Sequence, residues 1–133
     1  MSMTEPYEPT KRSWPKKFRD AGRGMWIAVS GGGSYTVHVF AAAMVIAAAV
    51  FFGVTHAQWC ILVLCIALVF SAEILNTSLE VLARAIRQEY DAIVRDALDI
   101  GSGAVLAAAI GAVIVGLVIF LPYFFQLFAT SPV

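Results

Sequence analysis

Three long apolar runs, at about residues 35–54, 59–86 and 100–120, set the pattern of hydrophobic and polar positions along this chain. Each reaches or exceeds the roughly 20 residues that a helix needs to cross a bilayer. The second is longer than the hydrocarbon requires, so its last turns are expected to emerge into water. Ahead of the first run, Trp14, Phe18, Ala21, Met25 and Val29 recur at steps of four and three, with Lys16, Lys17, Arg19 and Arg23 around the remainder. That spacing predicts an amphipathic helix, with Ser13 as its cap and Pro15 in its first turn. Trp14 and Trp26 favour a helix lying in the membrane interface over one packed on the rest of the protein.

Gly31, Gly32 and Gly33 read as a hinge between that surface helix and the first span, because no phosphate-loop pattern surrounds them. Residues 55–58 form a connection so short that the second helix must return alongside the first. Residues 87–97 are polar and read as the inner connection, and the third span starts at Asp99 or Ile100. Gly103, Ala107 and Gly111 repeat every fourth residue, a stripe suited to close helix contact. Pro122, Tyr123, Phe124 and Phe125 mark the outer interface. The expected fold is an all-α membrane protein, three transmembrane helices preceded by an N-terminal amphipathic surface helix. Residues 1–12 are expected to be a flexible tail, and 13–133 a single integral membrane domain.

Composition agrees. With 60% hydrophobic and 14% charged residues in a chain of 133, an ordinary soluble domain is excluded. Net charge is zero, yet Lys11, Arg12, Lys16, Lys17, Arg19 and Arg23 precede the first run, and Arg84, Arg87 and Arg95 lie between the second and third. By the positive-inside rule the N-terminus and the inner connection face the cytoplasm, which leaves the His56 loop and the C-terminus outside. Cys60 and Cys65 are five residues apart in one apolar run and point from different helix faces, so they read as small apolar side chains rather than a disulfide. No zinc-ligand pattern is present. The polar residues ahead of the first run argue against a cleaved signal peptide, so this span is expected to stay in the mature protein.

The candidate chemistry sits at the end of the second run. Glu73, Asn76 and Glu80 stand at i, i+3 and i+7 and project from one helix face. At about 1.5 Å per residue from Trp59, Glu73 lies about 20 Å into a hydrocarbon layer about 30 Å thick. Insertion disfavours an ionisable group there by a few kcal/mol, so it marks either function or interhelical polar contact. Three aligned polar residues leading to the surface favour function. In these 133 residues no room is expected for a separate soluble catalytic domain, so an enzyme is expected to build its site from helix ends at the inner surface. Glu73, Glu80 and Asp99, with Glu89 and Asp91 nearby in sequence, suit magnesium arriving with nucleotide phosphates. Glu73, the deepest, could act as general base toward a lipid hydroxyl.

Glu73-Ile74-Leu75-Asn76-Thr77-Ser78-Leu79-Glu80, then Glu89-Tyr90, then Asp99-Ile100-Gly101-Ser102-Gly103-Ala104-Val105, resemble the signature of the small prokaryotic diacylglycerol kinase and undecaprenol kinase family. The likeness extends upstream through Arg23-Gly24 to Tyr35 and His38, and covers roughly residues 13–125. It implies a homotrimer in a bacterial cytoplasmic membrane, a site shared between neighbouring subunits, MgATP as donor and a membrane alcohol as acceptor. By the same resemblance Glu73 would be the catalytic base, Glu80 a magnesium ligand and Asn76 a positioning residue in the nucleotide site. Glu89, Tyr90, Asp91 and Asp99 would fall in the nucleotide region, and Ser102 near the lipid.

The chain departs from the family pattern at three positions. Gly32 stands where a second metal-binding Glu is usual, Leu98 where a Lys precedes the nucleotide-site Asp, and Arg84 where an Asp follows Glu80. Loss of a carboxylate and a phosphate-facing cation is expected to weaken MgATP binding. Arg84 either replaces the lysine in part or pairs with Glu80 one turn away. A relative that binds lipid or nucleotide without fast turnover is the alternative to an active lipid kinase. A proton pathway through Glu73 is a third reading, disfavoured because no polar series continues to the other membrane face.

Overall fold

The computed structural model describes residues 13–30, 34–86 and 91–129, and all but a few of these are helical. Four helices follow in order: α1 (Trp14–Ser30), α2 (Ser34–Phe52), α3 (His56–Ile86) and α4 (Ala92–Ala129). Residues 35–52, 56–86 and 92–129 are each long and apolar enough to cross a membrane. Together with the site and family likeness described below, they make this a multi-pass membrane protein. The expected tail (1–12), the glycine hinge (31–33) and Glu89-Tyr90 lie outside the described residues.

Local chemistry sets the helix ends. At the close of α2, Gly53 takes the left-handed conformation (φ 61°) that a side chain would resist. Its N–H donates to the Val50 carbonyl (3.3 Å), and the Val54 N–H reaches back to Ala49 (3.2 Å). This pair of bonds is a Schellman ending, sealed by contact between the buried Val54 and Ala49. Three residues after Gly53, α3 begins with a reciprocal cap. The Thr55 N–H donates to Gln58 Oε1 (2.8 Å), and the Gln58 N–H to Thr55 Oγ1 (3.4 Å). The same Gln58 oxygen accepts the Tyr123 hydroxyl from α4 at 2.8 Å, tying α3 to α4 at this end.

The core is thin and gathered at that end. Ala49, Val54, Leu62 and Ile119 are buried together, flanked by Phe52, Phe120 and Tyr123. Phe52 stacks obliquely on Phe120 (6.0 Å) and Tyr123 (5.9 Å). Gln58 facing Tyr123 at one end and Asn76 facing Gly101 at the other show that α3 and α4 run antiparallel. Most other large apolar side chains are exposed, as a lipid-facing surface or a subunit contact would require.

Three boundaries differ from the sequence reading. Helix α4 starts at Ala92 rather than near Asp99, because Asp91 caps it: its Oδ1 accepts from the N–H groups of Ile93 (2.9 Å) and Val94 (3.4 Å). Most of the polar inner connection is therefore helix. At the other end α4 continues through Pro122 to Ala129. The proline removes only the bond to the Val118 carbonyl, a loss that membrane helices tolerate. Finally, residues 56–58 are the first turn of α3 rather than loop.

Helix α1 carries its apolar residues outward. Trp14, Phe18, Met25 and Trp26 are exposed, and Ala28 alone is buried, where the end of the helix approaches α2 and α3. Lys17 Nζ lies 4.6 Å over the centre of the Trp14 ring, so the ammonium itself rests on the aromatic face as a cation–π contact. An unburied apolar stripe bordered by lysines suits a membrane interface. The Gly103, Ala107 and Gly111 stripe also faces away from the rest of the chain.

Candidate functional site

The second half of α3 and the first halves of α2 and α4 converge around Glu73. The residue is almost fully buried (3% exposed), as is Asn76 (7%), where few of the described residues are buried at all. Two aromatic rings, Tyr35 of α2 and Phe70 of α3, pack at 5.1 Å just beside it and hold the two helices together. One turn along α2 from Tyr35, His38 Nε2 lies 3.8 Å from Glu73 Oε2. A buried carboxylate is costly in a low-dielectric setting, and a neighbouring imidazole provides polar company within the bundle.

Asn76 continues the polar face toward the surface. Its Nδ2 donates to Glu80 Oε1 at 3.0 Å, so the helical spacing predicted for Glu73, Asn76 and Glu80 does bring the last two into contact. Glu80 itself is exposed, with one oxygen oriented by Asn76. The Asn76 Oδ1 atom is turned the other way, into α4, where it is buried and, among the described residues, has no hydrogen-bond partner.

These side chains open into a groove of about 310 Å³, lined by His38, Glu73, Asn76, Glu80 and Ser102 and floored by Val105, Leu106 and Ala109. A second cavity, about 150 Å³, is almost wholly apolar and lies between α2, α3 and α4. Ala41, Ala42 and Ala112 leave its space open, and Val45, Val69 and Phe70 complete its walls. His38 and Ala109 line both cavities. The groove that Glu73 lines thus meets an apolar cavity at these two residues, a geometry able to receive an amphiphile by its hydroxyl end.

Not every residue singled out in the sequence joins this groove. Ser102 does, although its hydroxyl donates back to the Leu98 carbonyl at 3.0 Å. Asp99 does not: it is exposed and is not among the residues that line the groove. The grouping of Asp99 with Glu73 and Glu80 therefore does not occur within the described residues of one chain. Asp91 is occupied in capping α4. Arg84 is exposed and, among the described residues, makes no ion pair with Glu80, whose carboxylate turns to Asn76 instead. Among the described residues no three His, Cys, Asp or Glu side chains converge as a metal site.

Sequence reasoning overlooked His38 as a site residue. Its signal was available: it is the sole Asp, Glu, His, Lys or Arg between Tyr35 and Val54. It also overlooked Gly101, whose contact with Asn76 depends on how α3 and α4 pack.

Comparison with known proteins agrees with this arrangement. The sequence model of the family described as prokaryotic diacylglycerol kinase matches residues 19–120. The chain is 34% identical to an undecaprenol kinase of Bacillus subtilis over 107 residues, covering 80% of this chain and 87% of that protein. It is 38% identical to a diacylglycerol kinase of Synechocystis over 106 residues, which covers 79% of this chain and 61% of that longer protein. The matched region contains all four helices in large part, with Glu73, Asn76, Glu80 and the whole of the groove. The chain belongs to the prokaryotic diacylglycerol kinase family, a family of membrane lipid kinases.

Proposed function

We propose that this protein transfers the terminal phosphoryl group of ATP to the hydroxyl of a membrane lipid, either diacylglycerol or undecaprenol. The observation that carries the reading is the position of Glu73, buried in the wall of a groove that meets an apolar cavity at His38 and Ala109. A lipid alcohol carries its hydroxyl at the head of an apolar chain, and the groove that Glu73 lines combines polar side chains with Val105, Leu106 and Ala109. In the reaction Glu73 takes the proton of the acceptor hydroxyl as that oxygen bonds to the γ-phosphorus, and the bond from phosphorus to the bridging oxygen breaks to release ADP. His38, 3.8 Å away, fixes the side of the carboxylate that faces α2. The apolar cavity receives the first part of the lipid chain.

Magnesium carried with ATP would neutralise charge on the transferring group. The residues present fit it in the manner usual for that ion, which binds through one or two carboxylates and the substrate phosphates rather than in a protein cage. Glu80 is the carboxylate that would hold it, exposed at the groove and steadied by Asn76. Asp91 and Asp99, with Glu89 and Tyr90, are assigned to the nucleotide region on family likeness. Because Asp99 is exposed and outside the lining of its own groove, it would serve the groove of a neighbouring subunit, which suits a homotrimer with shared sites. The N-terminus and the Asp91 end of α4 are assigned to the cytoplasmic side of the inner membrane on the distribution of Lys and Arg.

A second reading, binding without fast turnover, is favoured by Leu98 in place of a cation and by the placement of Asp99 outside the groove. Purified protein supplied with labelled ATP, magnesium and each lipid in turn separates the two. Label in one of the lipids supports the kinase. Nucleotide binding with no label in either lipid supports the weakened relative.

A further inference from the structure

Glycine at position 101 is enforced by Asn76. A Cβ built at Gly101 would lie 2.6 Å from Asn76 Oδ1 and 3.1 Å from Leu79 Cδ1. The first distance is too short for any carbon and oxygen that are not bonded, whereas the second can be relieved by a small rotation of leucine. Gly101 is itself fully helical and buried, so a turn or an unusual φ does not explain it. Other helical glycines of α4, at 103, 111 and 116, have nothing within 4 Å of the same construction.

The Asn76 carboxamide cannot simply turn away. Its Nδ2 must face Glu80 Oε1, because two oxygens placed at 3.0 Å would repel. That choice sends Oδ1 into α4, where it is buried, has no hydrogen-bond partner among the described residues, and meets the open face of Gly101. An orphaned acceptor is normally avoided. Here it is tolerated at the contact that sets which oxygen of Glu80 is held.

We propose that Gly101 is a positioning residue: by leaving room for the Asn76 carboxamide, it lets Asn76 hold the Glu80 carboxylate in the orientation that receives magnesium and nucleotide. The inference rests on the reading of Glu80 as the metal-binding carboxylate, but the contact itself stands apart from that reading. Gly101→Ala displaces the carboxamide, breaks its bond to Glu80 and acts on the nucleotide side of the site. Acceptor binding, which uses Glu73 and the apolar cavity, is left alone.

The test is a double-mutant cycle of Gly101→Ala and Asn76→Ala in the full-length protein in detergent, with Gly116→Ala as control. Gly101→Ala is expected to raise KM for MgATP about tenfold or more while KM for the lipid stays within about twofold. In the Asn76→Ala background the same alanine should add less than about twofold, because no carboxamide remains to be displaced. The side-chain amide resonance of Asn76 provides a readout without turnover: it should shift in Gly101→Ala and stay in place in Gly116→Ala. If Gly101→Ala fails to fold, the double variant should fold again. Equal losses in both backgrounds, an unmoved amide resonance, or a double variant that also fails to fold would overturn the proposal. A moved resonance with no phosphoryl transfer by the unaltered protein would uphold the contact and reject the kinase reading instead.

Discussion

His38 on α2 and Glu73 on α3 approach to 3.8 Å, joining two helices through a polar contact inside the bundle. The Glu73 side chain is the more enclosed, 4% exposed against 18% for His38. His38 lines both cavities, and Glu73 lines the groove beside it. Replacing His38 by Ala removes a wall of the site without removing the base. We expect kcat for phosphoryl transfer to fall about tenfold through lost positioning, with KM for MgATP little changed. His38→Gln should recover part of the loss, and an unaltered kcat in His38→Ala would show that the imidazole does not orient Glu73.

Ala109 belongs to both the polar and the apolar cavity. A larger side chain there closes the passage through which the lipid hydroxyl would reach Glu73. Ala109→Leu should raise KM for the lipid about tenfold and leave MgATP binding unchanged, as steady-state kinetics in mixed micelles would record. Equal effects on both substrates would place the lipid elsewhere.

Glu80 should show itself through the metal. Glu80→Gln keeps the shape and the hydrogen bond from Asn76 but removes the charge that attracts a hard cation. The magnesium concentration giving half-maximal rate should rise about tenfold or more, and chelation should abolish transfer by the unaltered protein. An unchanged magnesium curve would assign the metal to other groups.

At the far end of the bundle, the Tyr123 hydroxyl donates to Gln58 Oε1 at 2.8 Å, beside the Thr55 cap. Tyr123→Phe deletes this tie between α3 and α4 and leaves the stacking on Phe52 intact. Thermal unfolding in detergent should report a loss of about 1 kcal/mol, while activity stays unchanged because the groove lies at the other end. Loss of activity without loss of stability would contradict that separation.

Much of this organisation was legible in the sequence because a bilayer restricts what a polar residue can do. Three apolar runs and a basic amphipathic segment gave the helices, and the i, i+3, i+7 spacing of Glu73, Asn76 and Glu80 gave one polar face. The start of α4 was hidden because Arg95, Asp96 and Asp99 interrupt its apolar pattern, so the capping role of Asp91 went unread. Which side of α4 meets α3 was hidden as well. A run as uniformly apolar as 100–120 has no amphipathic signal to orient it, and only packing shows that Gly101 and Val105 turn inward while Asp99 turns out. His38 was passed over because a lone histidine in a span is more easily read as packing than as the neighbour of an acid on the next helix.

The most direct measurement compares the unaltered protein with Glu73→Gln, each given γ-labelled ATP, magnesium and the two lipid alcohols. Glutamine keeps the size of the side chain and cannot accept the hydroxyl proton. The account predicts label in one of the lipids with the unaltered protein and a fall of about 100-fold or more in Glu73→Gln, with MgATP still bound. Transfer by Glu73→Gln at the unaltered rate would contradict it.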